Sequence, residues 1–210
     1  EALMTASTGA ENVGIGYRAL KLTTGNSNVA VGKNALALNS SASNNTAVGT
    51  SALTANQTGT DIVAIGYNAL MAATAGYNTA VGARAGLGLT SGTFNTAIGR
   101  DSLAGVVTGT HNSGLGNASL AALTSGGFNT ASGSNSLVGL TTGSANTAMG
   151  YQSLKSMVSD SNTVGIGTNA GVNSTTSQSV IIGSQANASG VMTGDNNTYV
   201  GYASGFNSTS

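Results

Sequence analysis

Cysteine, proline and tryptophan are absent from this chain. Without cysteine there can be neither a disulfide framework nor a thiolate metal site. Without proline nearly every backbone N–H can donate to a hydrogen-bonded ladder, which suits a structure made of many short strands. Charge is scarce too: six Lys and Arg balance six Asp and Glu across 210 residues. That leaves no basic stripe for counterion release on nucleic acid and no polybasic segment to hold an anionic membrane. No run approaches the roughly 20 apolar residues of a membrane-spanning helix. Nucleic acid and membrane insertion are therefore not expected among its interactions.

Low charge with abundant glycine also describes flexible linkers, but a linker has no reason to keep Val and Ile in phase. Here the phase is strict. Gly16, Gly32, Gly49, Gly66, Gly82, Gly99, Gly116, Gly133, Gly150, Gly167, Gly183 and Gly201 stand 16 to 18 residues apart, most often 17. Around each the chain reads close to Asn-Thr-Ala-Val-Gly-x-x-Ala-Leu. A period of this size marks a solenoid, whose units are too small to bury their own apolar faces and must stack on their neighbours. The expected fold is all-β: a parallel β-solenoid or β-roll of twelve rungs forming a single array over 1–210. Neither end carries a polar cap, so the array is expected to be a fragment of a longer chain.

Taking the motif glycine as position zero, position −1 is apolar in eleven of twelve rungs, with Ser132 the exception. Position −3 is Val or Thr in eleven, with Ser113 the exception. β-Branched residues favour strands, and residues two apart share a face. Positions −3 and −1 therefore read as the inward face. Position −2, mostly Ala, and the glycine read as a bare face that something approaches closely, in particular a second copy of the chain. The glycine itself also fits a turn with positive φ, alone or together with close approach. Position +3 is Ala or Ser throughout, and position +4 is Leu in eight rungs, which suits a corner with Leu as a second inward anchor. A further glycine nine or ten residues on, such as Gly25, Gly59 or Gly92, supplies another turn. Each rung is thus expected to hold two short strands and two turns. Rungs 5, 10, 11 and 12 replace that Leu with Gly86, Gly171, Asn187 and Gly205, suggesting a changed cross-section towards the C-terminal end.

Asn stands at −4 in nine rungs: Asn12, Asn28, Asn45, Asn78, Asn95, Asn112, Asn129, Asn146 and Asn197. Repeated at equivalent corners, its amide can stack on the next and form a structural ladder. At a spacing of about 4.8 Å per rung, twelve rungs make a rod roughly 55–60 Å long.

Chemistry-bearing residues are few. His111, the lone histidine, occupies a corner slot filled elsewhere by Tyr77, Phe94 and Phe128. Asp61, Asp101, Asp160 and Asp195 are scattered without paired-carboxylate spacing. Gly14-Ile-Gly16 and Gly165-Ile-Gly167 lack the strand–loop–helix context of a dinucleotide site. No catalytic residues, metal ligands or cofactor-binding residues are expected, and the chain does not read as an enzyme. Tyr17, Tyr67, Tyr151 and Tyr202 share position +1. An aromatic body with a polar tip suits stacking on sugar rings, so these four are the candidates for receptor contact. Shielding rung edges or packing between subunits is the alternative.

The stretches Asn78-Thr-Ala-Val-Gly82, Asn95-Thr-Ala-Ile-Gly99, Asn146-Thr-Ala-Met-Gly-Tyr-Gln-Ser-Leu154 and Asn162-Thr-Val-Gly-Ile-Gly167 resemble the repeats of bacteriophage tail-fibre proteins. In that family such repeats often precede a self-cleaving C-terminal chaperone domain. They are also similar to the head repeats of trimeric autotransporter adhesins, which form left-handed parallel β-rolls assembled as trimers. The resemblance covers 12–205. The adhesin repeat is shorter, so the period here fits the tail-fibre form better, and no chaperone domain, coiled-coil stalk or membrane anchor lies within the 210 residues. It implies a left-handed homotrimeric fibre in the virion, a rigid shaft reaching or contacting a bacterial surface receptor. Its partners would be two further copies of itself, other fibre or tail proteins, and a cell-surface polysaccharide or protein. The adhesin likeness implies instead a head domain on a bacterial cell surface. A third reading, from a different class, is a self-contained ice-binding solenoid presenting Thr46, Thr79, Thr96, Thr130 and Thr147. Val13, Val29, Val63, Val164 and Val180 in the same slot count against it if that slot faces the core.

Overall fold

The computed structural model describes residues 9–188 and 194–205; the parts of the 1–210 array at 1–8, 189–193 and 206–210 lie outside the described residues. The chain is a parallel β-solenoid. Twelve strands of three residues each, from β1 (Val13–Ile15) to β12 (Thr198–Val200), pair in sequence order in a single sheet, and no helix occurs among the described residues. Register is exact in motif terms: in β6 (Thr96–Ile98) and β7 (Ser113–Leu115), Thr96 lies beside Ser113, Ala97 beside Gly114 and Ile98 beside Leu115.

Only one strand forms per rung, not the two expected. The rest of each coil is turn, because three slots per rung besides the motif glycine hold left-handed backbone. In the sixth rung these are Phe94 at −5, Asp101 at +2 and Leu103 at +4, with φ of 58°, 58° and 49°. Such residues cannot extend a strand, since φ > 0 lies outside the β region. Hydrogen bonds between rungs continue around these turns nonetheless. Leu103 N–H donates to Ser119 O at 2.9 Å, and Asp101 N–H donates back to Ala83 O at 3.1 Å.

The interior is the reverse of the one the bulky residues suggest. The middle residue of nearly every strand is buried, and the two flanking it point out. Ala30, Ala47, Ala64, Ala80, Ala97, Ala131 and Ala148 at −2 face the core, where they meet the +4 leucines. Val, Ile and Thr at −3 and −1 face solvent. The coil is narrow, and the leucines from the opposite wall occupy the space in front of the strand, so only a methyl group fits there. A further interior column lies seven residues past the motif glycine. It is polar in the first rungs (Thr23, Asn39, Asn56) and apolar later (Leu89, Leu123, Leu140, Met157), and all of these are buried.

The loss of Leu at +4 does not change the coil. Gly86 and Gly171 keep the same left-handed conformation, with φ of 60° and 59°. Neighbours fill the missing volume: a Cβ on Gly86 would lie 2.7 Å from Leu70 Cδ2, and one on Gly171 would lie 2.8 Å from Ile181 Cδ1. At Gly205 the space belongs to the Tyr199 ring, which takes the −2 slot of its rung. Small residues at +4 thus go with large ones alongside, as a close-packed interior requires.

The motif glycines serve as turn and close approach together. Gly116 has φ +133°, and a Cβ there would lie 2.7 Å from the carbonyl carbon of Gly133. What approaches is the next rung of the same chain, not a second copy.

The asparagine ladder forms, with backbone as its main partner. Asn112 Oδ1 accepts from Asn129 N–H at 3.1 Å, and Asn112 Nδ2 donates to Gly126 O at 2.9 Å. Amide-to-amide bonds join in places, as from Asn129 Nδ2 to Asn112 Oδ1 at 3.0 Å. Ile62 interrupts the column. Thr163 continues it in kind, donating from Oγ1 to Thr176 O at 2.9 Å. Asn112→Ala would leave a buried N–H and a buried C=O without their partners, at about 1–3 kcal/mol each. Its thermal unfolding, followed by circular dichroism, is expected to show a total loss of about 2–6 kcal/mol.

Candidate interaction surface

Pointing −3 and −1 outward gives one side of the rod a flat, parallel-stranded surface. The −1 column carries Ile15, Val31, Val48, Ile65, Val81, Ile98, Leu115, Met149, Ile166, Ile182 and Val200, interrupted by Ser132. Several of these are among the large apolar residues most open to solvent, Ile15 and Val200 above all. The −3 column beside it mixes Val with Thr46, Thr79, Thr96, Thr130, Thr147 and Thr198. Twelve strands about 4.8 Å apart make this surface about 55 Å long; with both side-chain columns it covers on the order of 800 Å². Soluble monomers rarely expose a contiguous apolar patch above a few hundred Å².

Two corners flank the surface. On one side, at −5, Tyr77, Phe94, His111 and Phe128 stack ring on ring. Successive centroids are 5.0, 5.0 and 4.9 Å apart, and interplanar angles are 7°, 19° and 9°. The rung spacing creates this stack: side chains in the same slot of a parallel solenoid lie one strand spacing apart, close to the contact distance of aromatic rings. His111 is held by rings on both faces and lies 3.1 Å through Nδ1 from Thr110 Oγ1. It is a corner residue of the stack, as its slot suggested.

On the other side, at +1, stand Tyr17, Tyr67, Tyr151 and Tyr202, all largely exposed. They share a column but belong to rungs 1, 4, 9 and 12, so the structure does not bring them together. Tyr67 and Tyr151 are five rungs, or about 24 Å, apart. Nearby, Asp101 receives Arg84 Nε at 2.5 Å and Arg100 Nε at 3.1 Å. The hydrogen bond that Arg84 donates to Asp101, together with the carboxylate's charge, raises the Arg84 pKa above its ordinary value. Exposed pairs of this kind add little to stability.

Among the described residues no group of three His, Cys, Asp or Glu side chains could hold a metal ion, and no helix is long and apolar enough to cross a membrane. The aspartates remain spread along the rod. The β-branched −3 and −1 residues, which read as core in the sequence, form the sheet surface instead, and the aromatic slot forms a continuous stack that the sequence does not announce. The slot was visible in the period; the contact depended on the rung spacing and the left-handed corner. No protein-family model, curated protein or solved structure matches the chain.

Proposed function

We propose that the chain is a structural and adhesive section of a bacteriophage tail fibre. In this reading three parallel copies of a left-handed coil bury their sheet surfaces against one another, and the resulting rigid shaft reaches or contacts a receptor on the bacterial surface. The observation that carries it is the sheet surface with its nearly continuous apolar −1 column, about 55 Å long, an exposed apolar feature of the kind that marks an interaction site. The repeat resemblance supplies the phage setting. Tyr17, Tyr67, Tyr151 and Tyr202 are the candidate receptor contacts, and other fibre or tail proteins are the expected neighbours. The head of a bacterial surface adhesin would use the same geometry.

The solution mass by light scattering tests this. A value near three times 20.2 kDa is expected, and a monomer would sink the proposal. One observation favours a second reading, the ice-binding solenoid. The −3 slot faces solvent, so valines there no longer count against an exposed threonine column. A monomer that also produced thermal hysteresis in dilute solution would establish that alternative.

A further inference from the structure

We infer that the aromatic corner at −5 of rungs 5 to 8 seats, rung for rung, against the +1 corner of a second, parallel copy of this chain. This rests on the self-association proposed above and adds which edges meet and in what register. Three observations carry it.

First, the stack forms a ridge. Tyr77, Phe94 and Phe128 are 52%, 51% and 64% exposed, an unusual state for three large rings in contact. The inner rings have both faces taken by neighbours, so only ring edges remain available, in a straight strip about 15 Å long. Such a strip fits an equally regular protein edge better than a single stacking ligand.

Second, the opposite corner carries no aromatic ring over the same rungs. Its +1 residues there are Ala83, Arg100, Asn117 and Ser134. Tyrosine occupies +1 only in rungs 1, 4, 9 and 12, where −5 holds Glu11, Asp61, Ala145 and Asn196. No rung is aromatic at both corners, and the tyrosines of rungs 4 and 9 bracket the ridge. Aromatic against non-aromatic along one line, with the small Ala83 and Ser134 at its two ends, is the pattern of two complementary edges.

Third, symmetry brings unlike corners together. Copies related by an axis parallel to the rod, with their sheets facing that axis, place the −5 edge of one beside the +1 edge of the next at the same height. A two-fold axis across the rod would instead pair like edges in reversed order, setting rung 5 against rung 8.

The cysteine-free chain allows a direct test by oxidative crosslinking. Within one copy, positions 128 and 134 are separated by the width of the strand, about 20 Å, well beyond disulfide reach. The double variant Phe128→Cys/Ser134→Cys should therefore crosslink only between copies and give a covalent trimer on a denaturing gel. The −5 slot already accepts Ala145 and Ser27 in the same conformation, so the variant should keep the parent's melting temperature and mass. Tyr77→Cys/Phe128→Cys, which reports like edges in reversed order, should remain monomeric on that gel. Crosslinking of this second pair would overturn the inference. So would a lack of product from the first pair while the solution mass stays trimeric, an outcome that leaves the assembly itself standing. A monomeric parent overturns both.

Discussion

Ala97→Asp is expected to unfold the middle of the rod, and Ile98→Asp, one residue further on, to leave the chain folded. Ala97 is 1% exposed and Ile98 is 40% exposed. At 97 the new side chain must overfill a space sized for a methyl group, at about 1–3 kcal/mol. It also buries an unpaired carboxylate, whose effective penalty is several kcal/mol. Together these rival the roughly 5–15 kcal/mol that holds a typical domain folded. At 98 the carboxylate stands on the sheet surface, and the loss within a single copy should be within about 1 kcal/mol. In the proposed assembly the same carboxylate lies between copies, so Ile98→Asp should keep its circular dichroism spectrum while its solution mass falls to that of one chain. An Ala97→Asp melting curve matching the parent's would mean that the inner and outer faces are assigned the wrong way round.

Gly116→Ala should be nearly as damaging, for a different reason. The added methyl would lie 2.7 Å from the carbonyl carbon of Gly133 and 2.8 Å from its oxygen. Both belong to backbone held by ladder bonds on either side, so no rotamer change relieves the contact. The φ of +133° is itself a region essentially reserved for glycine, and occupying it costs about 1–3 kcal/mol. With the displaced rung included, a total loss on the order of 4 kcal/mol is expected from thermal unfolding. Ala118→Gly, on the same corner with φ +53°, should change stability by less than about 1 kcal/mol. A small effect at Gly116 would show that neighbouring rungs can part there without loss.

Much of this architecture could be read before any coordinates. The period placed all twelve strands, the asparagine column and the positive-φ turn at the motif glycine, because those features repeat at one phase and follow from backbone chemistry; that the glycine is approached by the next rung and not by a second copy was open until the rungs were stacked. Inside and outside could not be assigned by the usual rule. In a large domain the bulky apolar face is the core; in a coil this narrow, Leu103 and its equivalents fill the lumen, and the strand contributes only Ala97 and its equivalents. One signal was available. The −2 column stays small through most of the chain, as a confined site demands, whereas −1 ranges over Ile, Val, Leu, Met and Ser. The second strand of each rung was lost to left-handed leucines such as Leu53 and Leu137, a conformation leucine rarely adopts and composition does not announce. Of the candidate contacts, the tyrosine column could be located from the period. The stacking of His111 between Phe94 and Phe128 needed the spacing of the corners.

The asparagine column also makes the rod a ruler. Asn95 offers its Oδ1 to the N–H of Asn112, and Asn112 offers its own to Asn129, always in the direction of chain growth. Each repeat that carries this asparagine and is followed by another therefore ends in the same pattern of donors and acceptors with which it began. In-frame gain or loss of one 17-residue unit would regenerate that junction and change the length by about 4.8 Å, leaving cross-section and surface chemistry as they were. Unequal recombination between such similar units is then a one-step route to longer or shorter rods, and reach could evolve without redesign of the fold.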